Sequence, residues 1–151
     1  MRHRIKGKKL GRVSKVRKAL LKNLLRSLLI HGSIKTTYAK AISLSSLAER
    51  FCHRAVQGTL DSKRYMYRFL QDRTWVSQVE AALLKAFPDS KSNFIRVVKI
   101  GNRIGDDAPI AKISFTKPVD FSVASKKEDK PIDKKKKIVK AKKESKTTKA
   151  K

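Results

Sequence analysis

The sequence predicts a two-layer α+β domain in the order α-β-α-α-α-β-β, with a basic extended N-terminal arm and a disordered Lys-rich C-terminal tail. Three observations carry that expectation. Residues 14–31 repeat leucine at three- and four-residue spacing, the mark of a helix with one apolar stripe. Three further helical patterns follow before Pro88. Two short β-rich runs, "NFIRVVKI" (93–100) and "IAKISFTK" (110–117), then flank the turn-rich "GNRIGDDAP". One small sheet covered on one face by helices packs these elements most economically.

The arm spans residues 1–13. It opens "MRHRIKGKKLGR", in which six of twelve residues are Arg or Lys, and no acid precedes Glu49. At the screening length of physiological salt, roughly 8 Å, such neighbouring charges still repel. The arm is expected to be unstructured alone and to order against a polyanion.

The domain is expected over residues 14–122. Its first helix, 14–31, places Val16, Leu20, Leu21, Leu24, Leu25 and Leu28 on one stripe and Lys15, Lys18, Lys22 and Arg26 opposite, with Gly32 as C-cap. "SIKTT" (33–37) is β-branched and reads as a strand. Thr37 then caps a helix over roughly 38–57, with Ala41, Leu44, Leu47, Ala48, Phe51 and Ala55 inward and Gly58 just beyond. Asp61 or Ser62 is the expected cap of a third helix that runs to about Leu70. Asp72 to Thr74 opens a fourth, with Val76, Val79, Leu83 and Leu84 inward and Pro88 ending it. Residues 123–151 form the tail. From 126 onward it holds thirteen Lys against four acids and no useful period, and it reads as a solubilising polyelectrolyte.

The 151 residues carry 39 Lys or Arg against 12 Asp or Glu, a formal net charge of +27. Residues 1–40 hold thirteen of the cations and no acid, so the charge is concentrated at the ends. A field of this size selects polyanionic partners, nucleic acid first, then an anionic membrane or an acidic protein. No apolar run is long enough to span a bilayer. Lys22 and Arg26 interrupt what would otherwise resemble the apolar part of a secretory signal, and the start is too poor in Ser for a transit peptide. Cys52 is the only cysteine, so an internal disulfide is excluded and a Cys-based zinc site is not expected.

Catalysis finds little support. His3, His31 and His53 have no metal-ligand spacing. Cys52 and His53 adjoin on a helix and point about 100° apart, a poor nucleophile–base geometry. Asp106 and Asp107 read as turn formers. No phosphate-loop or dinucleotide glycine pattern occurs. The expectation is no enzyme, no cofactor, no metal, no membrane, no small-molecule substrate and no homo-oligomer. Phosphate binding, by contrast, needs only Arg and Lys in register with some Ser, Thr or Asn. Arg2, Arg4, Lys6, Lys8, Lys9 and Arg12 of the arm supply this, continued by Lys15, Lys18 and Lys22, by Lys35, Thr36, Thr37 and Lys40, and by Arg96, Lys99 and Arg103. Arginine stacks on unpaired bases and forks onto phosphate, so the Arg-rich start suits folded RNA. A chromosome-associated basic protein is the second reading, and an RNA-processing enzyme built on Asp106/Asp107 the third.

"MRHRIKGKKLGR", "NLLRSLLIHGSIKTTYAKA" and "RVVKIGNRIGDDAPIAKISF", in that order, resemble the L-seventeen family of bacterial-type large-subunit ribosomal proteins. The resemblance runs from Met1 to about Phe115. It implies a helix, a strand, three helices and two strands in two layers, and a structural constituent of the large subunit that binds 23S-type rRNA. It also implies a place near the nascent-chain tunnel exit, among neighbouring large-subunit proteins, and ribosomes of the cytoplasm or of an organelle. By position it implies rRNA contact at Arg2, His3, Arg4, Lys6, Gly7, Leu10, Arg12 and Arg17, at Thr36, Thr37 and Lys40, and at Arg96, Arg103, Gly105 and Asp106. The chain departs from the family pattern at Val16, where a histidine is usual, at Ile42, and at Ser92, Asn93 and Phe94 before the hairpin.

Overall fold

The computed structural model describes residues 7–88, 90, 92–119 and 121. Arg2, His3, Arg4 and Lys6 of the arm, and the tail at 123–151, lie outside the described residues. The elements are α1 (Ser14–His31), β1 (Ser33–Thr37), α2 (Tyr38–Gln57), α3 (Leu60–Leu70), α4 (Arg73–Ala86), β2 (Ile95–Asn102) and β3 (Pro109–Phe115). The α+β order is the expected one.

Gly32 ends α1 at φ 68°, a left-handed position that glycine adopts without steric cost, and its N–H donates to the Leu28 carbonyl. The chain turns directly into β1. The sheet is antiparallel with β3 in the middle, in the order β1-β3-β2. Residues paired across antiparallel strands share a face, so the register sorts the side chains. Ile34, Ile113 and Val97 form one row toward the helices, and Thr36 and Ala111 belong to the same face. Lys35, Lys112 and Val98 form a row on the open face, beside Arg96, Ser114 and Ser33.

The helix α2 lies between the sheet and the other helices and packs on all three strands. Leu44, Ala48, Phe51, Cys52 and Ala55 of α2 meet Leu25, Leu28 and Leu29 of α1, Met66 and Leu70 of α3, and Val79 and Leu83 of α4, all buried. Phe87 and Phe94 stack edge-to-face, ring centres 5.2 Å apart, and fasten the exit of α4 to the entry of β2.

Four sequence expectations are corrected. Val16 is 54% exposed, because the apolar stripe of α1 is only half-buried at Leu20, Leu21 and Leu24, is fully buried from Leu25 onward, and includes Leu29 instead. The cap of α3 is Thr59, whose hydroxyl accepts from the Ser62 N–H at 3.2 Å. Asp61 falls inside the first turn, and Ser62 is buried. Leu84 is exposed, whereas Glu80 is mostly buried and pairs with Lys63 at 3.4 Å. Both hairpin strands are also displaced from their expected limits, to 95–102 and 109–115.

Two polar side chains join elements distant in sequence. Arg26 turns away from solvent and donates to the carbonyls of Phe69 (2.8 Å) and Leu70 (3.1 Å) and to Gln71 Oε1 (2.9 Å). A cation on the terminal carbonyls of α3 satisfies groups that the helix itself leaves unpaired and complements its dipole. Glu49 on α2 accepts from the backbone N–H groups of Phe94 (3.2 Å) and Ile95 (2.8 Å), and so fixes where β2 begins.

Replacing Arg26 by Ala removes hydrogen bonds from a charged, part-buried donor, and urea unfolding is expected to show a loss of about 2 kcal/mol. Arg26→Lys is expected to recover less than half of this, because a point charge lacks the guanidinium fork. Glu49→Gln keeps the shape but turns one acceptor into a donor facing an amide. A loss of about 1–3 kcal/mol is expected, with faster hydrogen exchange at the Ile95 amide.

Candidate nucleic-acid interface

The described end of the arm is a turn, not an extended strand. Arg12 N–H donates to the Lys9 carbonyl at 3.2 Å, and the Arg12 guanidinium donates to the Leu10 carbonyl at 2.8 Å. Leu10 and Gly11 both take left-handed φ values, 56° and 61°. The turn brings Gly7, Lys8 and Lys9 back over the first turns of α1.

A cleft of about 320 Å³ opens there between arm, α1 and α2. Lys8 and Lys9 line it from the arm, Arg17 from α1 and Arg50 from α2, and among the described residues no carboxylate lines it. Leu21 and Leu47 also line it, with Ser43 and Ser46. Those two hydroxyls donate to the carbonyls of Ala39 (2.9 Å) and Ser43 (3.4 Å). The four cations therefore carry whatever anion binding the cleft has. The start of α1 adds to their field: its first turn contains no acid and Val13 supplies no side-chain cap, so the positive end of the helix dipole is left uncompensated.

The remaining expected residues are distributed differently. Lys15, Lys18 and Lys22 do not line the cleft; Lys15 and Lys18 are exposed and Lys22 is half-buried. Thr36 lies on the helix-covered face of β1, opposite Ala111. Thr37 occupies the N-cap position of α2 without a side-chain cap bond, and Lys40 is half-buried in its first turn. The hairpin residues are not gathered on one side. Arg96 is on the open sheet face. Lys99 belongs to the other face, its ammonium 4.5 Å from the centre of the Tyr38 ring. Arg103 grips Asp106 through two bonds of 2.9 and 2.7 Å. That hydrogen bond, more than anything else, holds the Asp106 carboxyl down at about 2. Gly105 completes this turn at φ 107°, and Asp107 accepts from the Asn102 side-chain amide at 2.8 Å. Both aspartates are thus turn formers.

Sequence reasoning missed Arg50, Ser43 and Ser46, which recur at helical spacing around Leu47 on α2 and share its outer face. It also missed Lys112, whose place across from Lys35 follows only from the strand register. Burial first, and the Glu49 charge second, push the Cys52 thiol far above its ordinary value, so no thiolate is available there. Among the described residues no group of three or more His, Cys, Asp or Glu could hold a metal ion. No described helix is long and apolar enough to cross a membrane.

Residues 20–116, from within α1 to just past β3, match the family model described as Ribosomal protein L17. Similar curated proteins include the large ribosomal subunit protein bL17 of Thermodesulfovibrio yellowstonii, 39% identical over 130 residues, which are 86% of this chain and 96% of that protein. The bL17 protein of Pelagibacter ubique is 39% identical over 91% of this chain and 90% of its own length. That of Nitratidesulfovibrio vulgaris Hildenborough is 40% identical over 83% of this chain and 95% of its own. With the matched span covering every described strand and helix apart from the first turns of α1, the chain belongs to the Ribosomal protein L17 family.

Proposed function

We propose that this chain is a structural constituent of the large ribosomal subunit that binds and stabilises 23S-type rRNA, and that the arm and the α1/α2 cleft form its principal contact. Proteins of this family are structural components, not enzymes. The observation that carries the RNA contact is the convergence of Lys8, Lys9, Arg17 and Arg50 on one cleft without a carboxylate among its lining residues. Within about 10 Å, unscreened like charges raise one another's free energy unless a counter-charge intervenes. A sugar–phosphate backbone supplies that counter-charge at regular spacing, and guanidinium groups grip it through paired hydrogen bonds.

The other basic positions extend the contact. Lys15, Lys18 and Lys22 offer a second row along α1. Thr36, Thr37 and Lys40 sit at the β1–α2 junction, and Arg96 and Lys99 on β2. Arg2, His3, Arg4, Lys6 and Arg12 continue the path along the arm. Arg103, which pairs with Asp106 at the exposed hairpin turn, adds to the contact from there. The reading places the protein as a single copy, not a homo-oligomer, beside other large-subunit proteins near the tunnel exit. It places it in cytoplasmic ribosomes, with residues 14–122 as anchor and 123–151 as a polyelectrolyte tail.

Deleting residues 2–12 is expected to keep the protein out of large subunits on sucrose-gradient sedimentation while its far-UV circular dichroism persists. Wild-type incorporation of the truncated chain would refute the mechanism. For purified protein on structured rRNA, the logarithm of affinity is expected to fall linearly with that of salt. Replacing Lys8, Lys9, Arg17 and Arg50 by Ala should flatten that slope by roughly 0.7–0.9 for every phosphate that is no longer neutralised. Tighter binding to random duplex DNA than to rRNA at every salt concentration would instead favour a chromosomal role.

A further inference from the structure

A second concavity, of about 550 Å³, lies between α3 and α4. Its apolar part is Leu60 and Tyr67, which are 65% and 45% exposed, over the buried Val76. Arg64, Arg68 and Arg73 stand around it, all exposed. None of these residues lines the arm's cleft, and α3 packs chiefly on α1, α2 and α4 rather than on the strands. Among the described residues Lys63, the fourth cation here, is neutralised by Glu80, while none of the three arginines joins an ion pair.

We propose that this groove binds an unpaired RNA base, stacked on Tyr67, with Arg64, Arg68 and Arg73 on the flanking phosphates. The inference takes its ligand class from the RNA-binding reading above but shares no residue with it. Two observations favour a nucleotide over a helix of a partner protein. A partner helix lays its apolar face into a groove whose walls are themselves apolar along their length. Here Lys63 and Arg64 occupy the positions between Leu60 and Tyr67 on that face of α3, and they interrupt the apolar wall. The three rim cations outside any ion pair are also all guanidinium groups, which stack on rings and fork onto phosphate, as an ammonium cannot. Arg64 and Arg68 are four residues apart on one helix, an arrangement that is unfavourable without a counter-ion. An exposed aromatic ring among arginines is the platform that single-stranded RNA uses. Occupied together with the cleft, the groove would make the domain a bridge between two RNA segments, the second gaining from the effective concentration that the first creates.

The full-length protein can be titrated with a labelled single-stranded oligoribonucleotide and with an RNA duplex of equal length, by fluorescence anisotropy. Tyr67→Ala is expected to weaken single-strand binding roughly 5- to 150-fold, the range for one missing base–aromatic stack, and duplex binding much less. Tyr67→Phe should bind as wild type, and the same ratio should persist in an Arg17→Glu, Arg50→Glu background. If Tyr67→Ala leaves single-strand affinity unchanged, or lowers both probes equally, the groove is not a base site. An acidic amphipathic peptide that binds in a Tyr67-dependent way and is not displaced by the oligoribonucleotide would also overturn the proposal, making the groove a protein dock. Normal binding of structured rRNA by the Arg17→Glu, Arg50→Glu protein would count against the cleft alone. The groove would still stand or fall on Tyr67.

Discussion

Scarcity of carboxylates governs this molecule. Among the described residues there are six acidic side chains, and each is committed. Glu49 accepts the first amides of β2, Asp72 caps α4, and Asp107 holds Asn102. Glu80, Asp61 and Asp106 each answer one cation, Lys63, Arg54 and Arg103. None is left to balance the arm or the outer faces of α1 and α3. The arm and α1 contain no carboxylate and the one on α3, Asp61, is paired with Arg54 of α2, so among the described residues the cations of these elements keep a field that suits an external polyanion. The two exposed pairs contribute little to stability. Their effect is local shape.

The same scarcity explains the economy of α2. Glu49 and Arg50 are neighbours on it and point about 100° apart. One reaches inward to the start of β2, and the other faces the cleft beside the arm. Phe51 and Cys52, the next two residues, are buried in the core. A single turn of helix therefore ties the sheet, the hydrophobic centre and the basic cleft into one rigid relation. Strain in any of the three is felt in the others, because packed interiors transmit displacement rather than absorb it.

Most of the fold is legible in the sequence because it rests on local rules. The leucine period, the glycines at 32 and 58 and the position of Pro88 mark α1, α2 and α4 to within a residue or two. The limits of α3 are less clear because Asp61 and Ser62, the expected caps, lie within three residues of Thr59, the cap the structure uses. Only packing decides among them, by burying Ser62. The site is legible as charge but not as geometry. A run of basic residues cannot reveal that Arg17 meets Arg50 across a helix pair, that Arg26 is spent on α3, or that Lys35 faces Lys112. Those are consequences of tertiary pairing. The arm's turn at Lys9–Arg12 is hidden for another reason: Leu10 at φ 56° is in a conformation that leucine rarely adopts alone.

Arg17 and Arg26 stand on the same helix and meet opposite fates, and the difference shows how the fold divides its cations. Arg26 lies where α3 ends, and the unpaired carbonyls there offer more than water does to a guanidinium held in place by its neighbours. Arg17 lies beyond the reach of α3, beside an arm that brings further positive charge. Placing such a cation on a rigid helix rather than on the arm lowers the conformational entropy lost when a partner arrives. Whatever ordering the arm requires on binding is offset by the counter-ions its many charges release from the polyanion. On the RNA-binding reading proposed above, rigid cations on α1 and α2 would define where an RNA backbone lies, and the basic arm would extend the contact once that position is set.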